Sequence, residues 1–228
     1  MIETWSIFDV IGPVMVGPSS SHTAGACFIG LIARQIFHTE PKKVHIKLHG
    51  SFGEVFRGHS TDKAILAGLL NMPPYDLNLS KSMEIANEKK MQYSFESCNL
   101  GANVHPNTSL IEMSNATKKI TVQGESIGGG KCKITAIDKM PVLFGSEKSC
   151  LIIKHDIAYQ ILSDVLNIIT EKKYHIMEVD TPCYKDRVLL LIMIRENFDD
   201  EVIKKINKLP GVIWASYSNH FSNYNQKY

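Results

Sequence analysis

The sequence has little arginine, no long apolar run and no clustered cysteine, and each shortage removes a class of protein. Among 228 residues, 25 Lys and Arg face 23 Asp and Glu, for a net charge of +2. Only four of the basic residues are Arg, so bidentate forks for phosphate or base edges are scarce. Residues 1–143 carry fourteen basic and twelve acidic side chains, and residues 144–228 carry eleven of each. Neither part is an electrostatic funnel, which excludes a nucleic-acid protein that relies on phosphate neutralisation. The longest aliphatic stretch, Val188–Ile194, is far below the ~20 residues of a bilayer span, so no membrane segment is expected. The opening MIETWSIFDV has two acids and no basic region, which predicts no cleaved leader and a cytoplasmic protein. The five cysteines, at 27, 98, 132, 150 and 183, are odd in number and widely spaced. They resemble neither a disulfide framework nor a zinc site and suit a reducing compartment.

What is present is enough for a core: 44% of the residues are hydrophobic. The pattern changes near residue 143. Before it, glycines and hydroxyl residues punctuate short apolar runs; beyond Gly130 only Gly145 and Gly211 remain. Two domains are expected, 1–143 and 148–228, with a linker around Phe144–Lys148. In the first, Thr23–Phe37 reads as a helix with Ile29, Ile32, Ala33 and Ile36 on one stripe. Val44–Leu48 reads as a strand and Asp62–Leu70 as a helix that Asn71, Pro73 and Pro74 end. A further helix is expected over Ser82–Lys89, and strands over Thr108–Met113, Lys119–Gln123 and Lys131–Ala136. The second domain reads β-α-β-β-α-β, with an alternating strand over Cys150–Lys154 and helical periodicity from Tyr159 to Ile169. Strands Tyr174–Asp180 and Val188–Arg195, a helix Glu201–Leu209 and a strand Val212–Tyr217 complete it. The fold class is α/β (α+β), and the open face of the second sheet requires a ligand, a twin module or a partner.

Reactive side chains concentrate in three polar runs. Ser19, Ser20, Ser21, His22 and Thr23 stand at the mouth of the first helix, where free N–H groups suit a carboxylate or phosphate. Capping alone would need one of these hydroxyls. The second run, His49-Gly50-Ser51-Phe52-Gly53 followed by Gly58-His59-Ser60-Thr61-Asp62, joins a strand end to a helix start, where ligands sit in α/β layers. Ser60 or Thr61 is the expected cap. The third, His105-Pro106-Asn107-Thr108, holds two polar tips about a rigid proline. Each has a plain structural alternative: a cap, a strand-end hydrogen-bonder, a turn. No P-loop signature occurs. No G-x-S-x-G elbow is expected, and Gly17-Pro18-Ser19 lacks the strand–nucleophile–helix arrangement of a hydrolase. Histidines 22, 49, 59 and 105 form no helical pair four apart, so no metal ligand is expected in this chain.

The segments SIFDVIGPVMVGPSSSHTAGA (6–26), KLHGSFGEVFRGHSTDKAILAGLL (47–70) and NVHPNT (103–108) resemble the β subunit of the two-subunit, iron–sulfur-dependent L-serine dehydratase. Residues 148–228 resemble its ACT domain. The resemblance implies a serine dehydratase beta-type domain, related to the allosteric substrate-binding domain of some phosphoglycerate dehydrogenases, followed by a ferredoxin-like ACT domain. It implies elimination of water from L-serine to give pyruvate and ammonia. The [4Fe–4S] cluster is then ligated by the α subunit, whose open iron site acts as Lewis acid. By the same resemblance Ser19, Ser20, Ser21 and Thr23 hold the substrate carboxylate, with His49, Ser51, His105 and Asn107 in the pocket wall. His22, and His59 with Thr61, are the implied proton-transfer groups, since neutral imidazole titrates near ~6.5. Partners are the α subunit and a second copy through the ACT domain. A non-catalytic sensor of serine or a hydroxy acid is the alternative. Three positions depart from the family pattern: Ser60 replaces a usual Gly, Phe28 a frequent basic residue, and Asp156-Ile157-Ala158-Tyr159 lacks the usual loop Gly.

Overall fold

The computed structural model describes residues 21–56, 58, 60–184 and 187–221. Helix α1 (Ser21–Phe37) leads into strand β1 (Lys43–Leu48). Two short helices follow, α2 (Ser51–Val55) and α3 (Thr61–Leu69), and then α4 (Ser82–Glu88) after a single 3₁₀ turn. Strands β2 (Gln92–Ser97), β3 (Thr108–Ser114), β4 (Lys119–Gly128), β5 (Lys131–Ile137) and β6 (Met140–Gly145) complete a six-stranded sheet in the order β2-β1-β3-β4-β5-β6. Only β1 and β2 are parallel.

Period-two alternation sends Val44, Ile46, Ile111, Met113, Ile120 and Val122 to the face that α1 covers. The other face carries Lys47 and Glu112, paired at 3.2 Å, and His45 beside Glu96 at 2.8 Å. Helix α3 packs on α1 at an unusually close crossing. A β-carbon on Gly30 would meet Ile65 O at 2.3 Å, and one on Gly68 would meet Cys27 O at 2.2 Å. Only glycine allows the two backbones this approach.

The second sheet is built from β7 (Ser149–Asp156), β8 (Ile176–Asp180), β9 (Cys183–Tyr184), β10 (Arg187–Ile194) and β11 (Val212–Ser218), with helices α5 (Leu162–Glu171) and α6 (Asp200–Ile206). Its order is β11-β7-β10-β8, antiparallel throughout, with β9 pairing β10. Asp199 caps α6 by accepting from Val202 N at 3.0 Å. One face packs Leu151, Ile153, Leu190 and Ile192 against Val165, Ile169, Val202 and Ile206 of the two helices.

The opposite face departs from expectation. Cys150, Ile152, Leu189, Leu191 and Met193 join the core of the first sheet, and α1 lies against β11. The anticipated open face is therefore covered by this chain itself. Strand β7 is buried on both faces and does not alternate as expected. Gln35 locks the contact: its O accepts from Ser216 Oγ at 2.9 Å, and its Oε1 from Asn219 N at 3.0 Å. Phe28, where a basic residue is usual in the family pattern, is buried with its ring 5.2 Å from that of Phe221. A charge there would lie inside this contact. The expected linker is shorter than read, since β6 runs through Gly145. No helix among the described residues is long and apolar enough to cross a membrane.

Candidate functional site

Ser19, Ser20 and His59 lie outside the described residues. Ser21, His22 and Thr23 form the first turn of α1, which starts two residues earlier than its apolar stripe predicts, and Thr23 is buried. This end of the helix carries the positive pole of its dipole.

The end of β1 and the His105–Thr108 turn meet at the same edge of the sheet. His49 N donates to Thr108 O at 3.0 Å, and Phe52 N donates to Pro106 O at 3.3 Å. Gly50 makes this possible. Its φ of 54° is in the left-handed region, and a β-carbon would fall 2.8 Å from both Cα and O of Pro106. Each histidine accepts a backbone proton at Nδ1, His49 from Leu100 N at 3.1 Å and His105 from Asn107 N at 3.2 Å. In the neutral ring that leaves the proton on Nε2. Thr108 Oγ1 donates to His105 O at 2.6 Å and stiffens the turn. Ser51 begins α2 and is exposed.

Asn107 connects this edge to the mouth of α1. Its O accepts from Ser126 N at 3.0 Å, and Ser126 Oγ lies against Gly25 in the second turn of the helix. Asn107 Oδ1, Ser109 Oγ and Ser126 Oγ are all buried without a hydrogen-bond partner among the described residues. An unsatisfied buried polar atom costs about 1–3 kcal/mol, and three such atoms lie on the β3–β4 pair and the turn that precedes it.

Thr61 stands apart. It is buried at the start of α3 with its amide bonded to Phe56 O at 3.0 Å, and no hydrogen bond joins it to His49 or His105. Asp62 Oδ1 accepts from Lys63 N at 2.8 Å. Ser60 occupies the capping position with φ 56° and ψ 26°, but its side chain makes no cap bond, contrary to expectation. A left-handed backbone here explains why glycine is the usual residue.

Ser109 and Ser126 were not among the residues expected in the site. The sequence does hold a G-x-S-x-G spacing, contrary to expectation, at Gly124-Glu125-Ser126-Ile127-Gly128, and Gly128, Gly129 and Gly130 have φ of 91°, 57° and 74°. It is not a nucleophile elbow, because Ser126 sits inside β4 with its hydroxyl on the core side.

Three of the five cysteines, Cys27, Cys132 and Cys150, are buried as neutral thiols rather than the thiolates that ligate iron–sulfur clusters. Burial pushes the Cys27 and Cys150 thiols well above their ordinary range, and burial raises Cys132 to about 12. Cys27 donates its proton to Met72 O at 3.3 Å. Among the described residues no three His, Cys, Asp or Glu side chains are grouped to hold a metal ion.

Residues 6–99 match the family model described as serine dehydratase beta chain. The chain is 35% identical over 210 residues to the "Probable L-serine dehydratase, beta chain" of Bacillus subtilis (strain 168), covering 91% of this chain and 95% of that one. It is also 35% identical over 204 residues to the "L-serine dehydratase, beta chain" of Peptoniphilus asaccharolyticus, covering 89% and 90%. A third relative, the "L-serine dehydratase" of Helicobacter pylori (strain J99), is 30% identical over 152 residues, which are 57% of this chain but 33% of that one.

Proposed function

Since the chain belongs to the serine dehydratase beta-chain family, we propose that it completes the active site of an L-serine ammonia-lyase whose [4Fe–4S] cluster is held by a separate α subunit. The observation that carries this reading is the set of atoms Asn107 Oδ1, Ser109 Oγ and Ser126 Oγ, buried beside the mouth of α1 with no partner among the described residues. They offer hydroxyl donors and an amide acceptor next to a positive helix end, which suits the carboxylate, ammonium and hydroxyl of an amino acid. Ser19, Ser20, Ser21 and Thr23 bind the carboxylate. His49, Ser51, His105 and Asn107 form the wall, with each imidazole held by a backbone bond at Nδ1 so that Nε2–H is free to donate. His22 and His59, with Thr61 beside the latter, carry the proton-transfer roles. The Cα proton of L-serine passes to a base, hydroxide leaves Cβ, and the resulting aminoacrylate tautomerises and hydrolyses to pyruvate and ammonia.

Residues 1–143 and 148–228 are read as two domains of a cytoplasmic protein. The second is a ferredoxin-like ACT domain, a reading supported by the β-α-β-β-α-β order and the β11-β7-β10-β8 arrangement. Self-association would use its edge strand β8, which leaves Met177 52% exposed.

The test is reconstitution. The purified chain alone should release no pyruvate from L-serine, and adding anaerobically prepared α subunit should restore release. In the assembled enzyme His105→Ala should lower kcat at least about tenfold with subunit association unchanged. An α subunit fully active alone, and unaffected by this chain except through added serine, would instead assign a sensing role.

A further inference from the structure

A second polar cleft lies where the two sheets adjoin, away from the mouth of α1. It has a volume of about 500 Å³ and is bordered by Lys119, Asp138 and Lys139 of the first sheet and Lys154, Tyr184 and Arg187 of the second. Four cations thus face a cavity with one carboxylate. That carboxylate is already committed. Asp138 Oδ2 lies 2.5 Å from Lys154 Nζ, and its Oδ1 accepts from Thr121 N at 2.9 Å. The Lys154 side chain is only 9% exposed, so this pair is a built element of the cleft and not a surface accident. Lys119 leans at 3.5 Å on Glu112, which is outside the cleft. Lys139 and Arg187 have no carboxylate partner among the described residues.

Two details argue that this charge is held in place. Asp138 and Lys139 form the tip of the β5–β6 hairpin with φ of 49° and 68°. Left-handed backbone at two consecutive side-chain-bearing residues is costly, and a lysine there is unusual where glycine is the normal choice. Lys139 borders the cleft from this turn. Arg187, one of four arginines in the chain, opens β10 on the other side, and its planar fork suits phosphate or carboxylate oxygens. Uncompensated cations converging on one cavity repel each other until an anion enters.

We infer that this cleft binds a small anion carrying two or more negative charges, bridging the two sheets through Lys139 and Arg187. Phosphate groups and clustered carboxylates share the required chemistry.

The test is calorimetric titration of the full chain with inorganic pyrophosphate and, separately, citrate, at matched ionic strength with sodium chloride as reference. Saturable one-to-one binding of either anion is expected, with a rise in Tm that the reference salt does not produce. Tighter binding of pyrophosphate assigns a phosphate ligand, and tighter binding of citrate a polycarboxylate. Lys139→Gln and Arg187→Gln should each weaken binding about tenfold, and together abolish it. Both side chains are exposed, so these variants keep the fold, and Lys81→Gln, at an exposed lysine outside the cleft, should leave binding unchanged. Failure of both anions to bind saturably, or equal binding by the double variant, overturns the inference. Neither result bears on the serine site, which is read from different residues.

Discussion

Gly25 of α1 and Ser126 of β4 are in such close contact that a β-carbon on the glycine would lie 2.1 Å from the serine Oγ. A larger residue here would force the helix or the serine to shift, and the hydroxyl is held against the early turns with no hydrogen-bond partner among the described residues. A polar group buried without a partner weakens the fold. Ser126→Ala should stabilise the isolated chain by about 1 kcal/mol, read as a higher urea midpoint at unchanged m-value. In the assembled enzyme the same variant should lose at least about tenfold in kcat/KM for L-serine. Greater stability with full activity would remove Ser126 from the site.

Ser60 offers a second test, this one of backbone strain. Its φ of 56° costs roughly 1–2 kcal/mol for a residue with a β-carbon, and its side chain returns no capping bond. Ser60→Gly should raise stability by about 0.5–1 kcal/mol, the strain relief being partly offset by glycine's greater freedom in the unfolded chain. Urea denaturation of the two proteins side by side decides it. A loss of stability would mean that the serine side chain makes a contact worth more than the strain.

The elements legible in the sequence are those whose apolar residues recur at a regular period. Ile29, Ile32 and Ile36 mark α1 by helical spacing, although residues 23–33 are buried on every side between the sheet, α3 and β11, and Val44, Ile46 and Leu48 mark β1 by alternation. Strand β2 was not legible: Gln92–Ser97 is a polar sheet edge in which only Tyr93 and Phe95 are apolar. The second half of β4 was missed for a different reason. Gly124 and Ser126 are poor strand residues locally, but Ile29 and Gly25 of α1 leave room there for nothing larger. Cys150–Lys154 read as half-buried, whereas β7 is covered on both faces because its Cys150 and Ile152 join the core of the first sheet. The candidate site divides in the same way. The histidines and Asn107 were visible as polar punctuation, while Ser109 and Ser126 matter only through which atoms the tertiary fold leaves unpaired.

Lys118 ties the two sheets together and supplies a pH dependence. Its ammonium lies 5.5 Å from the centre of the Phe37 ring and 5.2 Å from that of Trp214, and it donates to Phe37 O at 3.2 Å. Burial lowers its pKa from 10.5 to about 8, against a smaller opposing effect of Asp138. In the unfolded chain the lysine keeps its ordinary pKa. Between pH 8 and 10.5 the unfolded state therefore binds more protons than the folded state, and stability from this group rises with pH. Below pH 8 the lysine is charged in both states and the full desolvation penalty is present. The buried thiols act in the opposite sense above pH 9, because Cys27 and Cys150 ionise only on unfolding. The lysine contribution is isolated by comparing wild type with Lys118→Met at pH 7.5, 8.5 and 9.5, since the thiols are common to both. Wild type should gain steadily on the variant across that range in urea midpoint. A difference that stays constant with pH would mean that Lys118 remains charged between the two rings, its cation–π contacts outweighing burial.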